Sequence, residues 1–518
     1  MAKQKLKELP DDLILKILSK LPLFRESVAK RLISKRHEEL WKLMPEVTFV
    51  DGYEKSLVTF MTFVYGSLLS DDTQTLERLH FKLAGNYPAS DINFWVQLAV
   101  DRSVRKLSFD LFGKTLVLPS CLSSCTTLKS LILRDVSIHL VPRGFSLPSL
   151  KSLHLFYVDF SQSIVTFLRR CPDLEYLVIH QTCYGNWNLD EVAMHWVRLS
   201  SLKSLHLLSA ECSSRDSLTS LLQSCPVLEY LVLHQSQRLC VTPPESCLSS
   251  IKTLHLTSFN FFEDEDIATL LKRCAALEDL VITRTKYDNV RLYNINAPTL
   301  KSLTINNSID KRASEDKETH GFWINAPALE TLNIKDTVSN FLVLEFMPEV
   351  TKANIQVICD QPEKFLGSLT LVKHLSLCCP TSETPYRSGS IFPYLEHLEL
   401  CTCSPGWANL LASILNVAPR LQSLTLKSNH STPCDDPMNF WNEPAVVPEC
   451  LLTHLEIFEW RQYEDTVQQR KVAAYILENA IWLKMATFST RCGDKDHGKL
   501  VEIKKLNRVS ETCQVVFE

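Results

Sequence analysis

The stretches TLKSLIL (127–133), SLKSLHL (149–155), DLEYLVI (173–179) and SLKSLHL (201–207) share one frame, L-x-x-L-x-L, and VLEYLVL (227–233) continues it. Further copies read SIKTLHL, ALEDLVI, TLKSLTI, ALETLNI, YLEHLEL, RLQSLTL and LTHLEI. The first apolar residue of the frame falls at Leu128, Leu150, Leu174, Leu202, Leu228, Ile251, Leu277, Leu300, Leu329, Leu395, Leu421 and Leu452. Weaker copies fit at Leu76, Val104, Val350, Val372 and Leu483, which makes 17 copies at steps of 21 to 31 residues.

That period and frame are those of leucine-rich repeats, in which each repeat supplies one short strand. The second and third apolar residues are two apart, so they point to one side of the strand, and the residue between them points to the other. No single repeat buries its apolar side alone, so neighbours must stack. The expected fold is an α/β solenoid: an irregular leucine-rich-repeat arc with a parallel sheet on its concave side and helices and loops outside. Helical returns are predicted in SQSIVTFLRRCP (161–172), SRDSLTSLLQSCP (214–226) and EDEDIATLLKRCA (263–275), each opening on Ser or acidic residues that suit a helix start. Cys171, Cys225 and Cys274 recur near their ends and read as packing positions. Polar stretches at 306–322, 380–390 and 429–444 interrupt the rhythm and read as surface loops.

The bulk numbers exclude several classes. A chain of 518 residues with 45% hydrophobic and 22% charged content is an ordinary folded protein, too long for one compact core. A net charge of −4 provides no global field for nucleic acid or anionic lipid. The opening MAKQKLKELPDD lacks a signal-peptide pattern and no apolar run reaches the ~18 residues that span a bilayer, so a cytoplasmic or nuclear protein is expected. The 18 cysteines then read as reduced thiols, and only 12 glycines argue against a phosphate-cradling enzyme.

The first 50 residues carry no repeat. In ELPDDLILKILSKLP (8–22) the apolar residues Leu13, Ile14, Ile17, Leu18 and Leu21 fall on one helical stripe. Val28, Leu32 and Ile33, then Leu40, Trp41 and Leu43, suggest two further short helices. So small a module has little core of its own, which leaves the stripe in surplus for a partner. The stretches LKELPDDLILKILSKLP (6–22) and SVAKRLISKRHEELWKLMPEVTF (27–49) resemble the F-box, in the form found in plant F-box proteins with leucine-rich repeats. The resemblance implies docking to a Skp-type adaptor, and through it to a cullin, by apolar anchors in a groove. By position it implies an adaptor face of Leu9, Pro10, Leu13, Ile14, Ile17, Leu18, Leu21 and Pro22, supported by Ile33 and Trp41. Two places depart from the family pattern: His37 stands where Trp is usual, and 23–31 reads LFRESVAKR.

At the other end, 441–489 resembles the FBD domain through Trp441, Pro444, the run Val447 to Leu451, Leu455, Trp460, Tyr463 and Ala480. Physically it reads as more repeat: a strand at 452–457, a helix near 466–479, a strand at 483–488 and a last strand near 513–517, closing the solenoid end. The expected domains are therefore an all-α F-box at 1–50, repeats at 51–440 and an FBD cap at 441–518.

Motifs for chemistry fail on spacing. GKT (113–115) has Ser108 where a phosphate loop needs glycine, and HEELW (37–41) has Trp41 where a zinc helix needs histidine. Cys378-Cys379 and Cys401-x-Cys403 lie in adjacent repeats but lack the C-x2-C spacing of zinc sites, and strand geometry is expected to divide them between faces. No metal, cofactor or catalytic residue is expected. One constellation remains: His154, His180, His206, His234 and His255, from five successive repeats, all fall at outward strand positions and alternate between two of them. They are the candidate target-binding residues, although half-exposed strand positions suit histidine in any case.

The expected function is that of a substrate-recognition subunit of an SCF-type ubiquitin ligase. Its F-box docks the adaptor and its solenoid binds a target protein, with no catalysis of its own and no nucleic-acid or membrane partner. A repeat scaffold with a degenerate F-box is the first alternative. A small-molecule co-receptor is the second; it calls for clustered Lys and Arg on the concave face, and the outward strand positions of the repeats from 150 to 256 carry no such series.

Overall fold

The structure is a computed structural model. It describes residues 45–517 apart from 52–56, 70–74, 161–163, 181–197, 210–219, 235–247, 259–264, 286–289, 308–319, 358–362, 380–390, 404–405, 429–440, 491–502 and 504–505. The chain divides into two compact units, at Ser250 and Ile251.

In the first unit the strands are β1 (Glu46–Val50), β2 (Arg78–Lys82), β3 (Lys106–Thr115), β4 (Ser130–Ile138), β5 (Ser152–Phe160), β6 (Tyr176–His180), β7 (Ser204–Leu208) and β8 (Tyr230–His234). Each pairs in parallel with the next in sequence. The frame explains the burial. In β5, Leu150 precedes the strand and Leu153 and Leu155 point inward, all fully buried, while Ser152 and His154 are half-buried on the other face. The residue after the first leucine locks each rung to the last: Lys151 N donates to Lys129 O at 2.9 Å, Glu175 N to Lys151 O at 2.9 Å, and Lys203 N to Glu175 O at 2.9 Å. Helices α1 (Leu57–Leu68), α2 (Ala89–Asp101) and α3 (Ile164–Leu168) lie in the returns.

The second unit has strands β9 (Thr253–Thr257), β10 (Asp279–Arg284), β11 (Leu292–Asn296), β12 (Ser302–Asn307), β13 (Gly321–Asn325), β14 (Thr331–Asp336), β15 (Phe341–Leu344), β16 (Lys352–Val357), β17 (His374–Cys378), β18 (His397–Cys401), β19 (Ser423–Lys427), β20 (Ile457–Arg461), β21 (Met485–Phe488) and β22 (Gln514–Phe517). Its helices are α4 (Glu265–Arg273), α5 (Glu363–Leu366), α6 (Trp407–Val417), α7 (Glu449–Thr453) and α8 (Val467–Asn479). The main ladder is parallel in the order β9-β10-β12-β14-β16-β17-β18-β19-β20-β21-β22.

Strands β11, β13 and β15 form a second parallel sheet from the returns of three successive repeats, which the leucine frame does not reveal. LYNIN, GFWIN and FLVL alternate in the two-residue period of a strand, and the polar stretch read as 306–322 ends in β13. A side chain at Gly321 would place its Cβ 1.8 Å from the Phe341 carbonyl oxygen, so only glycine permits this approach of β13 to β15. Arg284, buried at the end of β10, donates to the Val290 carbonyl at 2.5 Å and lies over the rings of Tyr293 and Phe322, 5.0 and 5.8 Å from their centres.

The frame also shifts once. The sequence places a copy at Leu452 with a strand at 452–457, but Glu449–Thr453 is helix α7 and β20 begins at Ile457. LTHLEIFEW holds two overlapping frames, and Leu455-x-x-Phe458-x-Trp460 wins. Those three residues are 0% exposed, whereas Leu452 is 40% and Ile457 39% exposed. The winning frame buries two large rings, the larger hydrophobic gain.

Both ladders close on aromatic rungs. Phe49, Phe81 and Phe109 are register partners on β1, β2 and β3, with ring centres 5.6 Å apart at each step. Trp460, Phe488 and Phe517 are register partners on β20, β21 and β22. Interior rungs carry leucine or isoleucine here; a terminal rung lacks one neighbour and needs a larger side chain to cover the core. Cys171, Cys225 and Cys274 are buried at the repeat turns, and burial pushes each thiol up to about 12. The Cys171 and Cys225 thiols donate back to the Phe167 and Leu221 carbonyls at 3.7 and 3.3 Å, which is packing chemistry. The GKT triplet lies in β3, where the register shifts between Asp110 and Lys114, and forms no phosphate loop.

Candidate functional site

The outward face of the first ladder is built from the first, third and fifth residues of each strand, because the second and fourth are buried. His154 and His206 occupy third positions, and His180 and His234 fifth positions. No two of these histidines are register partners: His154 faces Val178, Val178 faces His206, His180 faces Phe156 and Leu208, and Leu208 faces His234. Tyrosines at first positions fill the diagonals. His154, Tyr176, His206 and Tyr230 form a continuous ring ladder with centre separations of 5.2, 5.1 and 5.2 Å. His180 joins from the side, 4.9 Å from Tyr157 and 6.2 Å from Phe156, whose ring carries the Arg134 guanidinium at 4.4 Å. The histidine spacing is legible in the sequence. The tyrosine rungs are less so, although E-Y-L in two repeats is the signal that points to them. His255 lies on the outward face of β9 in the second unit, its Nε2 3.7 Å from a carboxylate oxygen of Asp279.

Beside the ring ladder is a hollow of about 690 Å³ lined by Arg78, His80, Lys106, Lys129, Arg134 and Lys151, with His154 at its border. All of this basic cluster but Lys151 precedes the repeats from 150 to 256, whose outward strand positions carry no Lys or Arg series. Glu46 lies 3.5 Å from Arg78, and Glu175 2.8 Å from Lys151, but these are exposed pairs of small energy.

Burial holds His154 below the ordinary imidazole value. Burial, then His234 and Arg134, does the same for His180, and burial chiefly for His80. Folding therefore favours the neutral rings. Their contribution is fully present above about pH 6.5, the unfolded value, and is lost as pH falls through the lowered folded values. The expected result is a lower melting temperature for the first unit at pH 5.5 than at pH 7.5, with the drop reduced in His154→Gln/His180→Gln. Equal melting curves for the natural chain at both pH values would count against this.

In the second unit the corresponding face holds a hollow of about 510 Å³ lined by Asn333, Asn354, His374, His397, Glu399 and Thr425. His374 and His397 are register partners whose rings stack 4.4 Å apart at 5°. Burial opposes ionisation of Glu399, but bonds from Lys427 and Ser376 hold its carboxyl below the usual range.

The ten residues of the expected adaptor face, Leu9 through Trp41, lie outside the described residues. Among the described residues, no helix is long and apolar enough to cross a membrane.

One main-ladder strand per repeat, an inward leucine frame and a polar, ring-bearing outward face define a leucine-rich-repeat protein. Family comparison agrees: residues 92–190 match "FBD-associated F-box protein At5g56370, LRR repeats", residues 201–226 and 250–274 match the Leucine Rich Repeat model, and residues 443–488 match the FBD model. The putative FBD-associated F-box protein At5g56560 of Arabidopsis thaliana is 47% identical over 521 residues, covering 100% of both chains. The F-box/FBD/LRR-repeat protein At5g56570 of the same plant is 39% identical over 99% of this chain and 92% of its own, and At5g56420, of the same description, is 31% identical over 100% and 99%. The chain belongs to the plant F-box/FBD/LRR-repeat family.

Proposed function

We propose that this chain is the substrate-recognition subunit of an SCF-type ubiquitin ligase. Residues 1–50 act as the F-box that docks a Skp-type adaptor and so a cullin, residues 51–440 hold a target protein, and residues 441–518 cap the repeats. Membership in the F-box/FBD/LRR-repeat family carries this reading, together with the apolar stripe Leu13, Ile14, Ile17, Leu18 and Leu21. The receptor makes no covalent bond itself. It raises the effective concentration of target lysines near a charged ubiquitin-conjugating enzyme, in the cytoplasm or nucleus. The target contacts the outward strand faces, where His154, His180 and His206 stand against tyrosine rings, His234 is exposed at the end of β8 and His255 occupies the same kind of position in the second unit. Rings of this kind give large contact area at small entropy cost.

The test is adaptor binding by the purified chain beside Leu13→Asp/Ile17→Asp. Carboxylates forced into an apolar groove cost several kcal/mol, so the variant is expected to bind at least about 100-fold more weakly while melting like the natural chain. Failure of the natural chain to bind would leave a repeat scaffold with a degenerate F-box, and equal binding by both would remove the stripe as the docking face. A second reading, co-reception of a small anion, rests on the basic hollow around Lys106, Lys129 and Arg134. Stabilisation of the chain by such a ligand in a thermal shift screen separates it from protein-only recognition.

A further inference from the structure

Cys378 ends β17, Cys401 ends β18, and Cys403 follows two residues later. Leu377 and Leu400 are register partners, so Cys378 and Cys401 leave neighbouring rungs at the same level. All three side chains are buried, at 4%, 2% and 4% exposure. The Cys378 and Cys403 sulfurs are 3.6 Å apart, and all three sulfurs lie within 4.8 Å of one another. Strand alternation alone would put Cys378, Cys401 and Cys403 together on the outward face and Cys379 on the inward one. The strands end at Cys378 and Cys401, and the chain instead turns all three of these sulfurs to one interior point.

This register level is not an ordinary core position. The flanking rungs place Gln356 opposite Cys378 and Lys427 opposite Cys401, and rungs further along carry Asn306 and Lys335. Polar side chains suit the level, and two adjacent repeats substitute thiols that turn inward to meet a third. Three sulfurs each ~2.3 Å from a tetrahedral zinc ion stand about 3.8 Å from one another, so the observed set needs a closure of about 1 Å at most. A disulfide requires the Cys378 and Cys403 sulfurs to approach from 3.6 Å to about 2.05 Å, a larger movement than the metal site needs in a packed interior.

We propose that Cys378, Cys401 and Cys403 form a buried three-thiolate binding site for a thiolate-seeking metal ion, zinc(II) or copper(I), that staples the ends of β17 and β18. Soft thiolate ligands select these two ions over harder cations. As each metal–sulfur bond forms, the thiol releases its proton to solvent. Burial of all three ligands keeps substrate from the ion; three thiolates complete a three-coordinate copper(I) site, whereas tetrahedral zinc(II) takes a water as its fourth ligand.

The test uses the full-length chain, reduced and metal-free. It is loaded separately with zinc(II) and copper(I), desalted and assayed for metal per chain, beside Cys401→Ser/Cys403→Ser and the control Cys171→Ser/Cys225→Ser. The natural chain and the control are expected to retain one ion more per chain than the Cys401/Cys403 variant. Metal analysis of the chain as purified, before the metal is stripped, identifies which of the two ions the site holds. Affinity should fall by more than the ~10–100-fold that loss of an outer-shell partner costs. X-ray absorption of the zinc-loaded chain should show sulfur at about 2.3 Å. Should the variant misfold, cobalt(II) titration of the natural chain decides: a thiolate-to-cobalt charge-transfer band saturating at one ion supports the site, and its absence overturns it. Equal retention in all three chains, or loss of two hydrogens in a Cys378–Cys403 disulfide in the purified protein, also overturns it.

Discussion

Trp460→Ala destabilises the second unit by about 3–5 kcal/mol, the usual cost of emptying a buried tryptophan site. The ring is 0% exposed and meets Trp407 of α6 at 5.8 Å, Tyr463 at 5.3 Å and Phe458 at 6.0 Å, mostly edge to face. These partners come from β20, from the turn after it and from a helix of an earlier repeat. Removal of the ring therefore opens a cavity that no single element can fill by moving. Phe488, the register partner of Trp460, packs on Phe458 and Tyr463 at 5.6 and 5.7 Å, so the loss spreads to β21. Trp460→Phe keeps most of the packing and removes an indole nitrogen that has no hydrogen-bond partner among the described residues. It should cost about 1.5 kcal/mol or less. Amide hydrogen exchange over 455–490 is the measurement, because a chain of two units need not unfold in one step. Exchange in Trp460→Ala that matches the natural chain would show that the FBD region does not depend on this cluster.

Trp95→Ala has a comparable effect at the other end, about 3–5 kcal/mol on the first unit. Trp95 lies on the inner side of α2 and is 0% exposed. It stacks on Phe81 of β2 at 5.6 Å and meets Phe60 and Tyr65 of α1 at 6.3 and 6.0 Å and Tyr87 at 5.6 Å. Tyr65 in turn donates to the Asp91 carboxylate of α2. Without the indole, α1 and α2 lose their common anchor and the Phe49–Phe81–Phe109 rungs lose their cover. Faster exchange should appear first in β1, β2 and α1, with β6 to β8 little changed, since a repeat ladder transmits stability chiefly between neighbours. A uniform change across all eight strands would contradict that nearest-neighbour picture.

These two clusters mark where the sequence is hardest to read. The leucine frame locates rungs from Leu76 to Leu483 because it is strictly local: three apolar residues at fixed spacing make the strand and choose its buried side. Strand β1 escapes it because EVTFV carries one buried anchor, Phe49, and its other support is the stack on Phe81 from a residue far along the chain. The frame slips at Leu452 for a related reason. Both registers satisfy the local pattern, and only the pocket formed by Trp407, Tyr463 and Phe488 favours the one that buries Trp460.

The candidate faces divide in the same way. Outward histidines follow from strand alternation, so the amino-acid pattern alone places His154, His180, His206, His234 and His255 on the outward side. The tyrosine rungs between them and the basic hollow around Lys106 and Lys129 depend on diagonal neighbours across strands, whose register no single repeat encodes. The meeting of Cys378, Cys401 and Cys403 depends on where two strands stop, which hydrogen bonding to the next rung decides.

The sequence by itself determined the repeat, its period, the buried side of nearly every strand and the family resemblance at both ends, because each of these is written in residues close together in the chain. The tertiary structure alone decided the winning register at Trp460, the second sheet of β11, β13 and β15, the ring ladder and the thiol cluster. Each of those is a choice among locally equivalent conformations, settled by the free energy of burying side chains against residues remote in sequence.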